Sequence, residues 1–113
     1  MKTTIAGRRA EAEVSRWLQN RGYEIISQNW RTSRCEIDIV ASKNKIVYFV
    51  EVKYRGHDSQ GDGFEYVTPR KLRQMQFAAQ VWNQQNNWNG DWRLIAASVA
   101  GDDFKVVELV ELD

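Results

Sequence analysis

The sequence predicts a single-domain α/β fold in which a mixed central β-sheet is flanked by helices, in the order α-β-β-β-α-β-β. Two amphipathic helical patterns alternate with runs of β-branched and aromatic residues. The central run, Val47–Arg55, reads VYFVEVKYR and has the composition of a buried strand. The 113 residues contain no internal repeat and no long linker, so we expect one domain over residues 1–113.

The two helices are predicted over residues 5–21 and from Thr68 to about Asn86. Gly22 is expected to end the first helix in the left-handed position that glycine favours. Thr68 and Pro69 are a typical cap and first residue for the second helix. Apolar residues recur at helical spacing in both, at Ala6, Ala10, Val14, Trp17 and Leu18, and at Leu72, Met75, Ala79 and Trp82.

Three strands are predicted between the helices, with short polar connections at 32–34 and 42–45. Connections this short favour an antiparallel meander. The glycine-containing stretch 56–67, which holds His57, reads as a mobile loop. The three strands span Tyr23–Arg31, Glu36–Ala41 and Val47–Arg55, and two further strands, Trp92–Val99 and Phe104–Leu112, surround a turn at 101–103.

Strand periodicity decides which side chains share a face of the sheet. In the central strand, Glu51 and Lys53 fall on one side. Two opposite charges inside a buried strand are costly unless they are paired or used. In the preceding strand, Asp38 is expected on the face opposite to Ile37, Ile39 and Ala41.

The composition is that of an ordinary globular domain with a formal net charge of +1. Residues 1–99 carry 15 basic and 10 acidic side chains, and the acidic excess lies in 100–113. This distribution is compatible with a polyanionic partner. We expect a cytoplasmic protein with no membrane partner, because no apolar run could span a bilayer or serve as a signal peptide. The single cysteine, Cys35, excludes an internal disulfide.

Asp38 and Glu51 are predicted to lie side by side on adjacent strands. Two close carboxylates favour a hard divalent cation such as Mg²⁺, for which Mn²⁺ can substitute, and the backbone carbonyl of Val52 could complete the protein ligands. Lys53, on the Glu51 face, could orient a water beside a scissile phosphate. This is equipment for metal-dependent hydrolysis of a phosphodiester.

The pattern Asp38-x₁₂-Glu51-x-Lys53 resembles the PD-(D/E)xK nuclease signature, with Ile37 in place of the proline. Over residues 5–82 the chain resembles the YraN-like family of predicted endonucleases, relatives of archaeal Holliday junction resolvases. The matching stretches are Gly7-Arg8-Arg9-Ala10-Glu11, Leu18 through Gly22-Tyr23, Asn29-Trp30-Arg31, Glu36-Ile37-Asp38-Ile39-Val40, Phe49-Val50-Glu51-Val52-Lys53 with Arg55, and Val67 with Lys71.

This resemblance implies a restriction-endonuclease-like fold and cleavage of DNA, including branched or structured DNA, by a homodimer. It implies that Asp38 and Glu51 bind the metal, that Lys53 is catalytic and that Glu11 lies near the site. Weaker candidates for substrate contact are Glu36, Arg55 and Lys71.

Each residue also has a plainer interpretation. Glu51 and Lys53 could form a surface ion pair, and Glu11 could complement the helix dipole. Glu36 could be solvated or could support the site, and Lys71 could contact phosphate or be a solvated first-turn residue. Trp88 is the better exposed tryptophan for stacking on bases, whereas Trp82 is expected in the core. The alternative function is a nucleic-acid-binding or assembly module with little turnover.

Overall fold

The computed structural model describes residues 4–56 and 63–112. Two helices and five strands follow in the predicted order. Their bounds are α1 Ile5–Gln19, β1 Glu24–Arg31, β2 Glu36–Lys43, β3 Ile46–Tyr54, α2 Pro69–Gln85, β4 Asp91–Ala100 and β5 Val106–Leu112.

The five strands form one mixed sheet in the spatial order β1-β2-β3-β4-β5. Strands β1, β2 and β3 are antiparallel neighbours, which confirms the predicted meander. Strand β4 pairs parallel to β3, and β5 returns antiparallel to β4. Helix α2 is the crossover that a parallel connection requires. The predicted α/β class and element order are therefore confirmed.

Local signals set the ends of both helices. The Thr4 side chain accepts a hydrogen bond from the Gly7 amide at the start of α1, and Thr68 accepts one from the Lys71 amide at the start of α2. At the end of α1, Gly22 has a φ of 89° and its amide bonds to the Gln19 carbonyl. The predicted glycine stop is confirmed, although regular helix ends at Gln19 rather than at residue 21.

The core consists of two clusters, one on each face of the sheet. The α1 face joins α1 to side chains of β2, β3 and β4, and the α2 face joins α2 to other side chains of the same strands. Strand β3 contributes to both, because its apolar residues alternate: Val50 and Val52 face α1, whereas Val47 and Phe49 face α2. Trp82 packs edge-on against Phe49 in the α2 face, as expected. No helix in 4–56 or 63–112 is long and apolar enough to cross a membrane.

Two details of the predicted strands are wrong. Ile37 does not share a face with Ile39 and Ala41; it packs in the α2 cluster, because the end of β2 pairs only with β1 there. Strand β5 begins at Val106 rather than at Phe104, since Phe104 has a φ of 60° in the preceding turn and stacks on Tyr54.

The stretch 56–67 divides into two parts. Residues 57–62, with His57, lie outside the described residues, so the predicted mobility of that stretch stays a prediction. Residues 63–66 form turns that lead into α2.

Candidate functional site

Strands β2 and β3 separate where Asp38 and Glu51 occur. The antiparallel ladder runs as far as the pair Ile39 and Val50, and one further step would set Asp38 opposite Glu51. There the Asp38 carboxylate replaces a backbone acceptor: its Oδ2 takes a hydrogen bond of 2.7 Å from the Val52 amide. Asp38 is only 4% exposed, so this bond is formed in a largely water-free setting, where it strengthens.

The Val52 amide and carbonyl belong to the same edge of β3. In an extended strand, the N–H and C=O of one residue point towards the same neighbouring strand. Because the Val52 amide donates to Asp38, the Val52 carbonyl also faces the gap that opens between β2 and β3. The gap therefore offers a carboxylate and a carbonyl oxygen from adjacent strands.

Glu51 faces α2 and already binds a cationic group. Its Oε2 lies 3.1 Å from the ammonium of Lys71, and the Glu51 side chain is 14% exposed. Lys71 is therefore not a freely solvated residue, because its ammonium is the counter-ion of Glu51. Its contact with phosphate stays a prediction. A Coulomb attraction at this distance is weaker than in a dry interior, because one-third of the Lys71 side chain meets solvent.

Tyr66 lies against the same pair of carboxylates. Its hydroxyl donates to the Glu51 backbone carbonyl over 3.4 Å. Burial first, and then the charges of Glu51 and Asp38, raise the pKa of Tyr66 above its ordinary value of 10.0. Tyr66 therefore lies within electrostatic range of both Glu51 and Asp38.

Gly63 explains why the chain before α2 can cross the sheet so closely. A Cβ at Gly63 would overlap the hydroxyl of Ser98 on β4, and it would lie 3.1 Å from the Arg55 Cδ. Residues 63–66 therefore lie directly over the ends of β3 and β4, and this contact helps to place Tyr66.

Three of the remaining predicted residues lie at the end of β3 and at the start of β2. Lys53 is exposed two residues beyond Glu51, and the half-buried Arg55 follows β3, where its amide donates to the Val99 carbonyl. Glu36, exposed at the start of β2, stands opposite Arg31 of β1.

Glu11 is 3% exposed on the inner side of α1, and both its carboxylate oxygens are shielded from solvent. Within residues 4–56 and 63–112, no three Asp, Glu, His or Cys side chains gather as a metal-holding group. Asp38 and Glu51 are thus the candidate ligands as a pair, without a third carboxylate in a shared cluster.

A groove opens from Glu51 along the first half of α2, and we call it the α2 groove. It has a volume of about 670 Å³ and lies between α2 and the β1–β2 turn. Its lining residues are Arg34, Cys35, Glu36, Glu51, Arg70, Lys71, Arg73, Gln74, Met75 and Phe77. Four of these carry positive charge and two carry negative charge, so the groove suits an anion.

The residue chosen by sequence for base stacking is not the most accessible aromatic. Trp88 is half-buried, its indole N–H donates to the Asp91 carbonyl at 3.0 Å, and its ring covers Gly90. It serves the turn before β4. Phe77 is 39% exposed in the α2 groove instead.

Phe77 was missed in the sequence because only the apolar residues of α2 that repeat at helical spacing and are buried were considered. The exposed residues Arg70, Arg73, Gln74 and Phe77 stand at i, i+3, i+4 and i+7, and this spacing was a readable signal. Tyr66 was missed because it falls in a stretch with no periodicity.

Replacement of Tyr66 by Phe is expected to remove the hydrogen bond to the Glu51 carbonyl at every pH and to make stability less sensitive to alkaline pH. The folded state holds the Tyr66 proton more tightly than the unfolded state does, so its contribution is complete below pH 10.0 and is lost as the pH rises through the raised folded pKa. Wild type should therefore lose more stability than Tyr66→Phe above pH 10. Urea unfolding at pH 8 and pH 11 measures the difference. Equal losses in the two proteins would show that folding does not raise the pKa of Tyr66.

Comparison with known sequences places the chain in a family. The profile described as "Uncharacterised protein family UPF0102" matches residues 10–109. A UPF0102 protein of Cytophaga hutchinsonii is 36% identical over 102 residues, which cover 90% of this chain and 88% of the relative. A UPF0102 protein of Vibrio campbellii is 34% identical over 107 residues, with the same coverage of both chains. The chain belongs to the UPF0102 family.

Proposed function

We propose that this protein is a metal-dependent endonuclease of the PD-(D/E)xK class, with a restriction-endonuclease-like fold, that hydrolyses phosphodiester bonds of DNA. The observation that carries the proposal is the parting of β2 and β3 at Asp38 and Glu51, with Lys53 two residues further along β3. Few structural needs account for acidic side chains at the centre of a sheet. A site that binds a cation and a phosphate accounts for both carboxylates and for the lysine.

The donor set fits Mg²⁺ better than a metal that needs a complete protein cage. Mg²⁺ takes one or two carboxylates and keeps waters or phosphate oxygens as its other ligands. Asp38, Glu51 and the Val52 carbonyl would supply the protein ligands. The Glu51 carboxylate already binds the Lys71 ammonium, and this pairing supports the proposal that Glu51 can bind a metal cation. When bound, Mg²⁺ supplies Lewis-acid stabilisation of the charge that develops on the phosphate.

The chain's own residues would do the rest of the work. Val52, through its amide, fixes the orientation of the Asp38 carboxylate. Lys53, exposed on the Glu51 side of β3, can orient the attacking water and offset negative charge on the phosphate in the transition state. Lys71, once displaced from Glu51, could bind the phosphate instead, since Lys71 and Glu51 both line the α2 groove.

A non-catalytic DNA-binding or assembly module is the second candidate. The observation that favours it is the Lys71–Glu51 ion pair, which neutralises one of the two carboxylates without any metal. The two functions differ in their need for Mg²⁺, because a binding module of this kind holds DNA equally well in EDTA.

The endonuclease is tested with linear, flapped, nicked and four-way DNA, each incubated with Mg²⁺, Mn²⁺ or EDTA. Lys53→Ala should lower the cleavage rate by roughly 30- to 1000-fold, or about 2–4 kcal/mol of barrier, as expected for loss of one preorganised charge. DNA binding should weaken only by the loss of one cation. Gel shifts at the same salt concentration measure that binding.

Lys45→Ala is the matched control for Lys53→Ala, since Lys45 is an exposed lysine in the turn at the other end of β3. It removes the same charge and should leave the cleavage rate unchanged. If wild type cleaves and Lys53→Ala cleaves as fast, the assigned mechanism is wrong. If wild type binds DNA but cleaves none of the four substrates, the binding module is the better account.

Glu11→Gln tests whether the buried carboxylate of α1 belongs to the site. The substitution keeps the size of the side chain and removes its charge. We expect slower cleavage or weaker metal affinity with a nearly unchanged melting temperature. A melting scan and a cleavage assay on the same preparation measure both. Equal cleavage by Glu11→Gln would show that Glu11 takes no part in the site. The alternative role at the helix dipole is wrong, because Glu11 lies beyond the first turn of α1.

A further inference from the structure

The α2 groove combines positive charge with one accessible aromatic ring. Arg70 and Arg73 are exposed on the same stripe of α2 as Phe77, and Arg34 approaches from the β1–β2 turn. The Arg34 guanidinium carbon lies 5.3 Å from the centre of the Phe77 ring. Arginine and an aromatic ring in one basic groove are the features with which proteins hold a single nucleic-acid strand.

Exposure of Phe77 is unusual for this helix. The apolar residues of α2 one or two positions later, Ala78 and Ala79, are buried in the α2 face of the core, whereas Phe77 is 39% exposed. Only four large hydrophobic residues in the described ranges are exposed to this degree, and the other three, Ile5, Ile26 and Val110, lie outside the groove. The core therefore does not account for the position of Phe77.

The turn that carries Arg34 is held in place by Thr32. The Thr32 hydroxyl accepts hydrogen bonds from the amides of Arg34 and Cys35 at 3.1 and 3.2 Å, and the Thr32 amide donates to the Cys35 carbonyl. Such side-chain bonding to the backbone fixes a turn without a long loop. Arg34 thus approaches Phe77 from a fixed backbone, and this preorganisation lowers the entropic cost of binding.

We propose that the α2 groove binds an unpaired nucleotide of the DNA strand next to the cleaved phosphate. Its base stacks on Phe77 and Arg34, and its backbone phosphates lie against Arg70 and Arg73. The identification of the strand as DNA rests on the proposed function. Bases inside a duplex are already stacked on their neighbours, so a base can reach Phe77 only where the strand is unpaired. The substrates are then flaps, forks and loops rather than continuous duplex.

The position of the groove connects this subsite to the candidate active site. Glu51 belongs to the wall of the groove, and Lys71 of α2 pairs with it at 3.1 Å. A strand that follows the stripe Arg70–Phe77 therefore reaches Glu51 of the candidate active site directly. A single-stranded overhang beside the scissile bond would bind in the α2 groove through both its bases and its phosphates. A duplex would bind through its phosphates alone.

Binding of two labelled DNAs by fluorescence anisotropy tests the proposal, in EDTA so that no cleavage occurs. One is a fork with an unpaired thymine arm, and the other is the fully paired duplex of the same length. Wild type should prefer the fork. Phe77→Ala should weaken fork binding by about 5- to 100-fold, the range expected for the loss of one base–aromatic stack, and leave duplex binding nearly unchanged.

Three further variants separate stacking from charge and from general surface change. Phe77→Tyr keeps an aromatic ring and should keep the preference for the fork. Ile26→Ala removes an exposed apolar side chain of β1 outside the groove and should bind both DNAs as wild type does. Arg73→Gln should weaken fork and duplex alike and reduce the slope of log affinity against log salt by about one.

The proposal is overturned if wild type binds fork and duplex equally, if it binds neither, or if Phe77→Ala weakens both to the same extent. Cleavage of the same DNAs in Mg²⁺ separates this failure from that of the endonuclease. If fork binding depends on Phe77 but no DNA is cleaved, the single-strand subsite is supported and the endonuclease proposal is wrong. If the DNA is cleaved but fork binding does not depend on Phe77, the endonuclease proposal is supported and the single-strand subsite is wrong.

Discussion

The hydrogen bond from the Val52 amide to the Asp38 carboxylate is the interaction on which the candidate site depends. At 2.7 Å it connects β2 to β3 at the step where their regular ladder ends. A buried amide must find an acceptor, and here a side chain provides it instead of the partner backbone. The regular ladder can therefore end at Ile39 and Val50 without leaving the Val52 amide unsatisfied. The same bond fixes the orientation of Asp38, which a metal ligand needs.

The sheet on either side of this opening is an ordinary hydrophobic scaffold. Val50 and Val52 anchor β3 to the α1 face, and Phe49 anchors it to the α2 face. With apolar neighbours buried on both faces, β3 cannot slip in register without moving its whole apolar set. Glu51 is thus held in place by residues that take no part in chemistry. The charge of Glu51 is offset by Lys71, which α2 brings to the face of the sheet towards which Glu51 points.

Local patterns in the sequence were sufficient for the fold, whereas the site needed contacts between distant segments. Thr68-Pro69 is a strong signal for a helix start, and Gly22 is a strong signal for a helix end. The alternation in VYFVEVKYR identified the central strand. Ile37 was misassigned because alternation assumes a regular strand, and β2 loses one partner at Asp38. Phe104 was misassigned because an apolar residue with positive φ looks like a strand residue in sequence. No local pattern could predict the Lys71–Glu51 ion pair or the contact of Tyr66 with the Glu51 carbonyl. Both depend on how α2 and the chain before it pack on the sheet.

Calorimetric titration of Mn²⁺ into the DNA-free protein tests most directly whether Asp38 and Glu51 form one cation site. Wild type should bind one ion per chain, and Asp38→Asn and Glu51→Gln should each abolish or greatly weaken that binding while circular dichroism reports an intact fold. Asp38→Asn keeps an oxygen that can accept from the Val52 amide, so its loss of binding would report on charge rather than on unfolding. Failure of wild type to bind Mn²⁺, or binding by both folded variants as tight as that of wild type, would contradict the account.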